Sequence, residues 1–369
     1  MIAVEGLTQK LISFRTTKDN LNQIKGCLNF IKNILISSGH VKAEIVDTPN
    51  GKPFLLAIPK EAKKSKIIFC GHIDVVPANQ TQFRAVVKKG KIFGRGAFDM
   101  KGPLSSLIVT FLNLSSQNQS LPLTLFISSD EEIGGWKGAN LALNNGVLKG
   151  KVAILPDGGV NFDIVIRQKG PLHLKVIFKG KSCHAAESSL KLNPIIKLSH
   201  FLSDIQNQSS NLERKKIFGT TIIPTKVSGG EFLNQTPNSI TVDFDIRLST
   251  PSRTDKIFRD FLNICKKHKT NVEFSNKKDL IFQIPPDDMI LNIWKKCVET
   301  ILNKKVRLTE TATASDGRFF AARGISAIIT APVGGGRHSE SEWVDIRSLE
   351  NLEKILREFI LNKQLIQII

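Results

Sequence analysis

The sequence predicts an α/β protein with a mostly parallel, covered sheet, interrupted by a smaller α+β domain. Three observations carry this. Short apolar runs bounded by Gly, Pro or Asp alternate with helical stretches. The middle of the chain changes to an order of strand, helix, strand, strand, helix, strand. The 369 residues are 41% hydrophobic and 23% charged, enough for two domains of roughly 100–200 residues each and too apolar for a disordered or low-complexity chain.

In chain order, MIAVEGLTQKLISF (1–14) reads as a helix, since it lacks the basic start and apolar core of a signal peptide. KIIFCGHIDVV (66–76) is the first buried strand, and MKGPLSSLIVTFLNLSS (100–116) the helix that follows it. LTLFISSD (123–130), the helical WKGANLALNNGVL (136–148) and KVAILPDGG (151–159) continue the alternation. MILNIWKKCVETIL (289–302) and ISAIITAPVGGG (325–336) close it as helix and strand. Between them PLHLKVIFKGK, NPIIKLSHFLSDI, TTIIPTKVSGG, SITVDFDIRLS, TDKIFRDFLNICKKH and NVEFS make a ferredoxin-like set. The expected division is residues 1–168 and 280–369 for the larger domain and 169–279 for the insert.

Composition removes several function classes. Five widely spaced cysteines without a CxxC pair argue for reduced thiols and a cytoplasmic setting rather than a disulfide scaffold or zinc finger. No apolar run approaches the ~18 residues of a membrane span. The charge of +19, from 52 Lys+Arg against 33 Asp+Glu, is dispersed, and its densest stretch, KEAKKSK at 60–66, reads as a solvated turn. Neither nucleic acid nor membrane is expected as a partner. Tyrosine, absent from the chain, is no candidate catalyst.

The residues that can do chemistry follow the predicted strands, where open α/β sheets place their ligand sites. His72 and Asp74 lie two apart after KIIFCG, so one can bind while the other supports it. Asp99 sits in the glycine-rich GRGAFDMKG just before a helix. Asp130, Glu131 and Glu132 end the next strand, and neighbouring carboxylates on extended backbone point to opposite sides, one free for metal and one for protons. Asp157 and His338 follow the last two runs. All five positions are expected at strand ends of one sheet. As ligands, His72, Asp99, Glu132, Asp157 and His338 offer two imidazoles and three carboxylates and no thiolate. That set suits two divalent ions, zinc first and cobalt or manganese next, in a hydrolytic centre, with Asp99 as candidate bridge. His40, His173, His200 and His268 read as surface or packing residues.

GHIDVVP (71–77), IFGRGAFDMKG (92–102), SSDEEIGG (128–135), ASDGRFF (314–320) and GGGRHSESEWV (334–344) resemble, in order, the signatures of the M20 metallopeptidases and deacylases. The branch of succinyl-diaminopimelate desuccinylase and acetylornithine deacetylase is the most similar, through FGRGAFDMKG and SDGRF. The resemblance implies a zinc-peptidase-like catalytic domain, with His72 and Asp157 on one metal, Glu132 and His338 on the other, and Asp99 bridging. It implies that Asp74 orients His72 and that Glu131 is the general base for water attacking an amide carbonyl. The insert would be a lid and dimerisation domain. GKSCHAAESSLKLNPI (180–195) would present His184 to the oxyanion, usually that of the partner subunit of a homodimer. GGEFLNQTPNSITVDFDIR (229–247) would bind substrate through Asn234 and Arg247, and Arg318 would be a second carboxylate clamp. The implied substrate is a small N-acyl amino acid, with dipeptidase, carboxypeptidase and aminoacylase activities as alternatives and an inactive scaffold protein as a remote one. Three departures from the family's commoner pattern stand out. Asp157 replaces a frequent Glu, no proline follows His184 near Ser188, and Cys183, read as a buried thiol, replaces a smaller residue.

Overall fold

A computed structural model of the protein describes residues 3–49, 51–210, 218–249, 255–274 and 280–369. Thr254, Ser275 and residue 279 at the expected domain boundary, with the first two residues of the opening helix, lie outside the described residues. The chain divides into two compact units, one of Met1–Arg167, Gln283–Glu310 and Ser315–Ile369, the other of Gln168–Phe282 and Thr311–Ala314.

The larger unit is built on a nine-stranded mixed sheet whose centre is parallel. Ile67–His72 pairs in parallel with Leu123–Ser128 on one side and Val152–Leu155 on the other, and Val152–Leu155 pairs in parallel with Ser326–Ile329. Every residue of Ile67–His72 and Leu123–Ser128 is buried. Such strands show unbroken apolar runs in sequence because helices cover both faces. Val41–Val46 and Phe54–Pro59 add an antiparallel margin. Lys101–Gln117 is buried over most of its circumference, and Lys101 itself, fully buried, donates from Nζ to the Phe14 carbonyl at 2.7 Å. Ile346–Ile360 is capped by Asp345, whose carboxylate accepts from the Ser348 amide.

Two expectations change here. WKGANLALNNGVL is helical only over Ala139–Asn144, because the Asp130 carboxylate binds the amides of Lys137 and Gly138 and holds them in a loop. The chemistry-bearing positions also do not all end strands of one sheet. A second, antiparallel sheet of Val86–Lys88, Lys91–Phe93, Trp343–Asp345 and Gly334–Gly335 frames the loops carrying Asp99 and His338. Its strands, two or three residues long, are too short to leave a periodic signal.

The second unit is a four-stranded antiparallel sheet in the order Thr221–Ser228, Ser239–Leu248, Gly170–Lys179, Asn271–Phe274. Alternate residues of Ser239–Leu248 are buried, so one face of the strand points inward. Both helices, Pro194–Ser210 and Lys256–Lys267, pack on that face, and Phe201 meets Phe178, Phe244 and Phe261 edge-on with centroids 5.1 to 6.1 Å apart.

Candidate active site

Two triads of potential ligand atoms share one carboxylate. His72, Asp99 and Asp157 form the first, and Asp99, Glu132 and His338 the second, the atoms of each lying within 4.8 Å of one another. The parallel strands deliver His72, Asp157 and the 130–132 segment, and the small sheet frames the loops of Asp99 and His338.

His72 is 1% exposed. Its Nδ1 lies 3.0 Å from the Asp74 carbonyl oxygen and 3.4 Å from the Asp74 carboxylate. Asp74 thus orients the ring mainly through its backbone, while its Oδ2 accepts from the Glu132 amide at 2.9 Å and braces the acidic turn. Nε2 faces Asp99 Oδ1 at 3.3 Å, Asp157 Oδ2 at 3.7 Å and Glu131 Oε2 at 3.9 Å. Among the described residues it has no hydrogen-bond partner. On the other side, His338 Nε2 lies 3.2 Å from Asp99 Oδ2 and 3.1 Å from Glu132 Oε2. His338 has φ +61°, left-handed backbone uncommon outside glycine and often found where strain serves a site. Gly336 makes that loop possible: at φ +70°, a Cβ would stand 2.5 Å from the Ser341 carbonyl oxygen.

Glu131 and Glu132 lie on a 3-10 turn, Glu131–Ile133, rather than on extended backbone. The turn, not strand alternation, separates their side chains: Glu131 approaches His72, and Glu132 reaches His338.

The electrostatics describe a site short of positive charge. Burial and the neighbouring Asp157 hold the Glu131 carboxyl well above its usual range, and burial and Asp99 raise Asp157. Burial also raises Glu132, against its hydrogen bond to His338. Burial opposes protonation of His72, yet Asp157, Asp74 and Asp99 outweigh it and keep the ring well above its ordinary value. Asp99 and Glu132 lift His338 to about 10. Arg337 supplies the remaining cation, Nε 2.8 Å from Asp99 Oδ2 and Nη2 3.7 Å from Asp157. An orphaned buried imidazole nitrogen facing several carboxylates, beside a second His and carboxylate pair, fits two divalent cations sharing Asp99.

Residues 68–362 match the profile of Peptidase family M20/M25/M40. The chain belongs to this family. It is a hydrolase of the M20 group. The succinyl-diaminopimelate desuccinylase of Helicobacter pylori (strain HPAG1) is 29% identical over 378 residues, covering 95% of this chain and 96% of the relative. An M20 family metallo-carboxypeptidase from Sulfolobus solfataricus has the same fold, with TM-score 0.78 at 16% identity over 98% of this chain and 99% of that one. A dinuclear metal-binding M20 peptidase from Bacillus subtilis superposes with TM-score 0.63 at 17% identity, covering 96% and 98%.

The remaining predicted site residues belong to neither triad. Arg318 is 3% exposed and gives Nη1 to the Ser315 carbonyl and Nη2 to the Gly134 carbonyl, both at 2.7 Å. Its guanidinium braces two loops against the Phe319 ring instead of lying open to a substrate carboxylate. In the second unit His184 is exposed on a two-stranded ribbon pairing Cys183–His184 with Gln235–Thr236, Asn234 is exposed just before that second strand, and the Ala185 amide donates to the Asn234 carbonyl. Arg247 is held bidentately by Asp245 at 2.8 and 2.9 Å. Cys183, half-buried, places Sγ 3.2 Å from Thr236 Oγ1.

Sequence reading passed over Glu342 and Arg337. Both lie in GGGRHSESEWV, where Arg337 directly precedes a candidate ligand and Glu342 is an acidic residue that the structure buries to 1% exposure. Arg337's place next to His338 was the one available signal.

Proposed function

We propose that the protein is a two-metal amidohydrolase that removes the acyl group of a small N-acyl amino acid, of the succinyl-diaminopimelate desuccinylase or acetylornithine deacetylase type. The observation that carries the reading is the pair of ligand triads meeting at Asp99 with Glu131 beside them. His72 and Asp157 are assigned to one ion, Glu132 and His338 to the other, and Asp99 to both. Zinc suits this nitrogen and carboxylate set, cobalt or manganese next. A bound pair of divalent cations supplies Lewis acidity toward the carbonyl and lowers the pKa of water.

The chain's own residues do the rest. Glu131, next to His72 and not needed as a ligand, accepts a proton from the attacking water and returns it to the leaving nitrogen as the C–N bond breaks. Asp74 fixes the imidazole of His72 and the turn that presents Glu131 and Glu132. His184 is assigned to the developing oxyanion, in a partner's site of a homodimer with C₂ symmetry. Asn234 and Arg247 are assigned to the substrate's polar groups. Arg318 is assigned to the loops that shape the site. The insert serves as lid and dimerisation domain, and the five free cysteines suit the reducing cytoplasm.

The deciding experiment is turnover of N-succinyl-diaminopimelate, N-acetylornithine, other N-acyl amino acids and dipeptides by zinc-loaded protein, with and without chelator. Chelator-sensitive release of succinate or acetate is the expected result. Preference for dipeptides would move the assignment to a dipeptidase, and silence across the panel with no metal bound would overturn it. Full activity in a strict monomer on dilution would remove the role in trans for His184.

A further inference from the structure

Glu342 has a carboxylate that is fully enclosed and fully used. Oε2 accepts from Arg95 Nη1 at 2.6 Å and from the Gly96 amide at 3.0 Å. Oε1 accepts from the amides of Phe98 and Asp99, both at 3.0 Å. The Glu342 carbonyl also accepts from the Gly94 amide at 3.1 Å. One residue therefore binds four backbone amides in 94–99, including that of the residue shared by both triads. Glu342 lies four residues after His338 and leads into the strand Trp343–Asp345, which pairs with Lys91–Phe93. Both loops are thus tied at one point.

Charge makes the tie strong. Backbone donors around a buried carboxylate form charge-assisted bonds, and the Arg95 guanidinium balances the charge. The same bonds pull 96–99 into one arrangement, which aims the Asp99 side chain. We infer that Glu342 is a positioning residue that fixes Asp99 against His72 and His338 before any metal arrives. The inference rests on the two-metal reading of Asp99.

Glu342→Gln is the test. Each carboxylate oxygen accepts two donors, so the amide group of glutamine must face two N–H groups whichever way it turns. Metal-free wild-type and variant protein would be titrated calorimetrically with Co²⁺, and the melting temperature of each metal-free form measured alongside. Expected is a loss of Co²⁺ affinity of about tenfold or more, the scale of residues that hold ligands in place. A variant with a lowered melting temperature but unchanged Co²⁺ affinity would make Glu342 merely structural and overturn the inference. Hydrogen exchange in metal-free wild type gives a readout independent of the variant's folding and of metal uptake. The amides of Gly96, Phe98 and Asp99 are expected to be protected, and free exchange there would overturn the inference. Wild type that binds no Co²⁺ while those amides stay protected would remove the two-metal reading and leave the tie itself in place.

Discussion

At the scale of single residues, the site concentrates negative charge beyond what its own cations offset. Glu131, 3.9 Å from His72 and outside both triads, is the residue proposed to carry the proton. Glu131→Gln is expected to cut turnover by about 10²- to 10⁴-fold, the usual contribution of a positioned acid or base, with metal content by elemental analysis unchanged. Loss of metal along with activity would make Glu131 a ligand instead. Arg337 stands 2.8 Å from Asp99 and 3.7 Å from Asp157, two of the proposed ligands, and on that reading would compete with metal for them. Removing its charge, worth on the order of 1 kcal/mol even at solvent-like screening, in Arg337→Met should tighten metal binding by about fivefold in the same calorimetric titration. Unchanged or weaker binding would show that the guanidinium supports the site. Residue types were legible in the sequence at this scale: His72, Asp99, Glu132, Asp157 and His338 were singled out there, and the structure gathers them into the two triads. The bonds of Arg318 and Glu342 were not legible, because a charged side chain's partner is set by what folds against it.

At the scale of elements, patterning was most readable where elements were long. Ile67–His72, Leu123–Ser128, Lys101–Gln117 and Met289–Leu302 all stood out as apolar runs or helical periodicity. The two-residue strand Gly334–Gly335 and the turn Glu131–Ile133 did not, since each owes its shape to bonds from elsewhere. The helix Ile346–Ile360 carries a testable cost. Burial, with Glu350 nearby and Lys354 only partly compensating, raises the Glu353 carboxyl from 4.5 to about 7. A folded-state carboxyl that binds its proton more tightly than the unfolded chain loses stability as pH climbs from 4.5 toward 7. Glu353→Gln should therefore stabilise the protein above pH 7 by ~1 kcal/mol, discounted for solvent screening, and leave it unchanged below about pH 4. Urea midpoints at pH 4 and pH 8 check both arms. A gain at pH 4 equal to that at pH 8 would assign the effect to packing.

At the scale of the whole molecule, every assigned metal ligand belongs to one of the two units. A ligand that binds only the native state stabilises what it binds, by ~2.7 kcal/mol at a hundredfold excess over Kd. Chelation is therefore expected to weaken hydrogen-exchange protection in Ile67–His72 and to spare Ser239–Leu248 of the insert. Equal losses in both would mean that the units unfold as one. Among the described residues no helix is long and apolar enough to cross a membrane. Readable without the fold were the long apolar runs and helical stretches, the split order of the insert and the kinds of donor atom available. Those properties depend on residue type and on spacings within a dozen positions. Tertiary structure alone decided that Asp99 stands in both triads, that a second small sheet frames two of the ligand loops, and that Glu342 holds the Asp99 loop from 243 residues away. No local pattern encodes such pairings, because each forms only when segments distant in the chain are closed together by the packing of the core.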